Sequence, residues 1–93
     1  MYYIRFSTLA KRRLKKLSRS GAFPEKRLAL VVQLLRRGGI LPAQYQDHAL
    51  QGAFADYREL HAAFDFLLVY KRNEGNKTVT IADLGSHQQI FGD

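Results

Sequence analysis

The residues Phe66-Leu67-Leu68-Val69-Tyr70 form five consecutive apolar positions with no polar break. A strand sends alternate side chains to opposite faces, so an unbroken apolar strand has to be covered on both. The run continues to Lys71 and reads as a central strand, with helices over one face and loops over the other. Two further β-type runs flank it, Phe54–Leu60 and Thr78–Leu84. Between the second and third runs, Asn73-Glu74-Gly75-Asn76 is polar and supplies a glycine, as a turn requires. Between the first and second stands His61-Ala62-Ala63-Phe64-Asp65-Phe66, which reads as a hairpin tip. With Ala62, Ala63 and Phe64 as the loop, His61 and Asp65 become cross-strand neighbours, their Cβ atoms roughly 5 Å apart.

The covering helices precede the sheet. Residues 2–6 are rich in Tyr, Ile and Phe and read as a first strand. Ser7 is a candidate N-cap, because its hydroxyl can accept a free amide of the first turn. From Thr8 to Ser18, Ala10, Leu14 and Leu17 fall on one helical face, with Lys11, Arg12, Lys15, Lys16 and Arg19 on the other. Ser20-Gly21 ends that helix. Pro24 fits the first position of a second helix, and Glu25 beside it suits the positive end of the dipole. Leu28, Val31, Val32 and Leu35 form its apolar stripe, widened by Leu30 and Leu34, before Gly38-Gly39 stops it. A loop, Ile40 to Leu50, leads back to the strands. The order is β-α-α-β-β-β: one α+β domain over residues 1–93, with an antiparallel-rich sheet against an N-terminal helical hairpin.

Charge divides the chain. Residues 1–37 hold eleven basic side chains against one acid, Glu25, whereas residues 38–93 hold four basic and seven acidic ones. A solvated helix face would suit a mild excess. An excess of ten over 37 residues points instead to a polyanion, an anionic membrane or an acidic protein partner. With no cysteine there is neither a disulfide framework nor a thiolate metal site, which fits a reducing cytoplasm. The start, Met-Tyr-Tyr-Ile-Arg-Phe-Ser, reads as a strand and not as a signal peptide, and no apolar run approaches the ~20 residues of a membrane span.

The three histidines stand at expected loop or strand ends: His48 in Asp-His-Ala-Leu-Gln-Gly, His61 at the hairpin, His87 in Gly-Ser-His-Gln-Gln-Ile-Phe-Gly. A lone histidine is usually a capping or half-buried polar group, but none of these lies within an apolar run. Zinc is disfavoured as their purpose, since no two have the close spacing of a helix or knuckle site. No cofactor is expected. What remains is metal-free acid–base work on a phosphodiester. RNA carries its own nucleophile, the 2′-hydroxyl. Its cleavage needs a base for that proton, an acid for the departing 5′-oxygen, and cations for the charge that grows on the phosphate. Imidazole suits both proton roles at neutral pH. Asp65 would orient His61, Arg58 is a candidate phosphate clamp, and Phe66 and Phe91 are candidate platforms for splayed bases.

Three segments, Asp47–Gly52, Tyr57–Phe66 and Gly85–Gly92, together resemble YafQ-type toxins of the RelE/ParE toxin–antitoxin superfamily. The resemblance extends over essentially the whole chain, in matching order and spacing. It implies a RelE-like fold and a ribosome-dependent mRNA interferase that cleaves messages in the A site without metal, leaving a 2′,3′-cyclic or 3′-phosphate and a 5′-hydroxyl. Carried over by position, the catalytic set is His48, His61, Asp65 and His87, with Phe91 helping to place the RNA. Phe66 stands where the family often has tryptophan, and Ala49 where it often has proline. The resemblance also implies a cognate antitoxin in a hetero-oligomer, and ribosomal RNA against the basic helix that carries Lys11, Arg12, Lys15 and Lys16. Two alternatives share the superfamily fold: a ParE-like toxin that binds DNA gyrase without cutting nucleic acid, and an inactive antitoxin-binding relative.

Overall fold

In the computed structural model, which describes residues 1–21 and 23–92, the central strand is β4, Phe66–Asn73. It lies in the middle of a five-stranded sheet of order β1-β5-β4-β3-β2. The other strands are β1 (Tyr3–Phe6), β2 (His48–Ala49), β3 (Arg58–Ala63) and β5 (Thr78–Gly85). All neighbours are antiparallel except β1 and β5, which pair in parallel from Tyr3 opposite Thr78 to Phe6 opposite Ile81. The apolar pattern of β4 has the expected outcome: Phe66 through Tyr70 are all buried.

Helix α1 spans Thr8–Ser18, and the Ser7 hydroxyl accepts the Ala10 amide at 3.0 Å, as its sequence position foretold. Helix α2 spans Glu25–Arg37, with Pro24 one place earlier than expected, as the N-cap. Ala10 of α1 and Leu28, Val31 and Leu35 of α2 join Leu60, Leu68, Tyr70, Val79, Ile81 and Leu84 in one core. Leu34 packs against that core, but Leu30 does not widen the stripe. It is 49% exposed, on the far side of the helix.

Three further departures from the expected elements matter for the site. The run from Phe54 enters the sheet only at Arg58, because Gly52 takes a left-handed φ of 66° and Gly52–Phe54 closes a single helical turn. The loop at residues 40–50 contains β2, a two-residue edge strand too short to show periodicity. The stretch after β5 is a third helix, α3 (His87–Phe91), and not a loop. Leu50, Phe54, Tyr57 and Ile90 of α3 surround, with Val69, a small pocket on the sheet face turned away from the core.

Candidate active site

The hairpin tip differs from the expected three-residue loop. Ala63 pairs with Phe66, leaving a two-residue turn of Phe64 and Asp65, and the register shifts between His61 and Ala63. That bulge places an extra residue in β3 and changes which residues face each other. His61 therefore pairs with Leu67, and Asp65 is not its cross-strand neighbour. Asp65 sits in the turn at φ 50°, a left-handed conformation that aspartate tolerates better than most residues.

From there Asp65 serves His87. Its Oδ1 accepts the His87 backbone N–H at 3.1 Å and lies 3.4 Å from His87 Nδ1. A proton on Nδ1 directed at this carboxylate leaves Nε2 open. Local chemistry fixes the position of His87. The Ser86 hydroxyl accepts the Gln89 amide at 3.1 Å, and Gln89 Oε1 accepts the Ser86 amide at 2.8 Å, a reciprocal capping box that starts α3. Gly85, at φ 141°, leads into it, and a Cβ there would stand 2.5 Å from Gln89 Oε1. Only glycine leaves the capping side chain its place.

His61 has a different carboxylate. Glu59, two residues earlier on β3 and so on the same face, lies with Oε1 3.7 Å from His61 Nε2. The imidazoles of His61 and His87 meet edge to face with centroids 5.8 Å apart, and the Phe91 ring lies 6.2 Å beyond His87. His48 pairs with Glu59 across β2 and β3, so it projects from the same sheet face. Its Nδ1 is 2.7 Å from the Gln46 carbonyl, and it stands outside the cavity that His61 and His87 line.

That cavity has a volume of about 570 Å³ and opens between the hairpin tip, the start of α2 and the Ala43–Tyr45 turn. Arg27, Tyr45, His61, Phe64, Asp65 and His87 are among its walls. Six further expected contributors stand elsewhere. Arg58 lines a separate pocket, where it donates to Asp47 at 3.0–3.3 Å, and this hydrogen bond raises its pKa further. Phe66 is 4% exposed, its ring edge-on to Phe23 in the core. It offers no face for stacking, whereas Phe64 at the tip is fully exposed. Lys11, Arg12, Lys15 and Lys16 are exposed on α1, and the last three share a shallow groove with Arg19.

Sequence reasoning missed Glu59, Arg27 and Phe64 as neighbours of the imidazoles. Glu59 was within reach, since it stands two places from His61 on a strand. Arg27 was not, because only the packing of α2 on the sheet brings it here.

The family model of the bacterial toxin of type II toxin–antitoxin system, YafQ, matches residues 2–92. The chain belongs to this family. Among solved structures, the metal-bound toxin from Helicobacter pylori is 36% identical with a TM-score of 0.87, covering 98% of this chain and 100% of that one. The YafQ family is also represented by the E. coli DinJ–YafQ toxin–antitoxin complex, 30% identical with a TM-score of 0.84 and 98% of both chains covered. The mRNA interferase toxin YafQ of Escherichia coli (strain K12) is 40% identical over 52 residues. Those residues are 56% of this chain and 54% of that relative, so the match spans about half its length.

Proposed function

We propose that this YafQ-family chain is an endoribonuclease that cleaves messenger RNA on the ribosome, with the 2′-hydroxyl as nucleophile. The observation that carries the proposal is the pair of imidazoles 5.8 Å apart at one cavity, each beside its own carboxylate. One imidazole takes the 2′ proton as that oxygen attacks phosphorus. The other gives a proton to the 5′-oxygen as its bond to phosphorus breaks, and a 2′,3′-cyclic phosphate and a 5′-hydroxyl result. Asp65 holds His87 in one tautomer, and Phe91 stands beside it as a surface for a base. His48 acts from the neighbouring strand on the same face, toward the RNA flanking the scissile linkage. The histidine–carboxylate contacts form two separate pairs, and among the described residues no group of three or more His, Cys, Asp or Glu is arranged to hold a metal. The chemistry proposed uses protons alone, and activity should persist in the presence of a chelator.

A toxin that only binds gyrase has no use for such a pair. The likeness to the DinJ–YafQ complex supports an antitoxin as the natural partner, and no described helix is long and apolar enough to cross a membrane. Mapping 5′ ends of messages in cells expressing the protein tests the reading. Wild type should create new ends at ribosome-bound positions, and His87→Ala or His61→Ala should lower cleavage by about 10²–10⁴-fold. Intact messages with inhibited DNA supercoiling would replace it with the gyrase-binding alternative.

A further inference from the structure

We infer that Arg27 is the cation that holds the scissile phosphate, the role expected of Arg58. This rests on the ribonuclease reading above and adds a catalytic residue to it. A dianionic, five-coordinate phosphorus needs a positive partner as its charge grows, and two imidazoles occupied with protons do not fill that need. Among the described residues, Arg27 is the only lysine or arginine that lines the cavity of His61 and His87. The alternatives are engaged elsewhere: Arg58 with Asp47, and Arg13 with Asp83.

Arg27 is exposed, and it has no ion pair among the described residues. A guanidinium in that state can present two parallel N–H groups to non-bridging phosphate oxygens. Among the described residues, the nearby carboxylates are turned elsewhere or already engaged. Glu25 of the same turn lines the groove between α1 and α2 instead. Asp65, the one carboxylate in the cavity wall among the described residues, accepts from His87. The base of the arginine is rigid, because the next residue, Leu28, is buried in the core with Val31 and Leu35 of the same helix. The side chain thus starts from a fixed helix and lines the same cavity as the two imidazoles.

The experiment is single-turnover cleavage of a message in the ribosomal A site, with ribosome binding measured separately. Arg27→Ala should lower the cleavage rate on the order of 10²-fold while binding is nearly unchanged. Arg27→Lys should recover part of the rate, because charge returns without the fork. Guanidinium ion should partly rescue Arg27→Ala but not His87→Ala. Lys26→Ala, in the same turn but outside the cavity, should match wild type. If Arg27→Ala cleaves as wild type does while His87→Ala is inactive, Arg27 is an ordinary surface cation and the inference is overturned. Loss of binding with an unchanged rate overturns it equally, making Arg27 a docking residue. If His87→Ala also cleaves normally, the ribonuclease reading itself has failed.

Discussion

Tyr70 joins the sheet to the loop that precedes β2. Its ring is in the core, and its hydroxyl donates to Asp47 Oδ1 at 2.5 Å, beside the Arg58 guanidinium. Burial, and then the hydrogen bond to Asp47, push its phenol well above the ordinary tyrosine value near 10. The fold therefore favours the neutral phenol. That stabilisation is complete below pH 10 and is lost as pH rises from there toward the folded-state value. The thermal midpoint of wild type should fall more steeply above pH 10 than that of Tyr70→Phe. An absorbance titration at 295 nm should lose one late-ionising tyrosine in the variant. Equal slopes for the two proteins would count against the effect. Tyr70 also shows what single residues conceal in a sequence. Arg58 looked free because its partner, Asp47, is eleven positions away in a loop, and Phe66 looked available because a buried and an exposed phenylalanine are written alike. The neighbouring Phe64 is the exposed one because the bulge after His61 moves the turn by a residue.

At the scale of elements, α3 decides whether His87 and Phe91 are usable. Five residues hold little helical stability of their own. The capping box starts the helix, and Arg13 of α1 ties it down. Arg13 Nε donates to Asp83 Oδ1 at 2.5 Å, while Nη2 donates to the Gln89 carbonyl at 2.8 Å. One side chain thus links α1, β5 and α3. Arg13→Ala should cost about 1–3 kcal/mol, between the values of surface and buried pairs, because it leaves the nearly buried Asp83 without its cation. Amide exchange at Ile90 and Gly92, whose N–H groups close α3 onto Ser86 and Gln88, should accelerate more than exchange in α2. Unchanged exchange would mean that the cap and apolar contacts suffice. The helices α1 and α2 were legible in the sequence because each repeats an apolar face over three or more turns between recognisable caps. By contrast, β2 and α3 are too short for any period to emerge. For α3 one local clue existed, serine at 86 followed three places later by glutamine, the pattern of a capping box. The pairing of Asp65 with His87 had none, since it joins residues 22 apart through tertiary packing.

For the whole molecule the basic excess of residues 1–37 becomes a surface. Arg12, Lys15, Lys16 and Arg19 line one groove along α1, which is separate from the cavity with the imidazoles. If that groove meets ribosomal RNA and the cavity cuts the message, binding and chemistry fall on different faces, and substitutions should separate them. Arg12→Gln with Lys16→Gln should weaken ribosome binding and reduce the slope of log affinity against log salt by about one per cation removed. The single-turnover rate at saturation should remain that of wild type. A lower rate at saturation with an unchanged salt slope would place these cations in the chemistry instead. The parallel pairing of β1 with β5 has a consequence in time as well as space. Tyr3–Phe6 has no strand to bond until Thr78–Gly85, made much later, arrives to lie between it and β4. A nascent chain halted before residue 78 lacks that strand and also His87, so one sheet edge and the proposed imidazole pair stay unformed together until the ribosome has passed both.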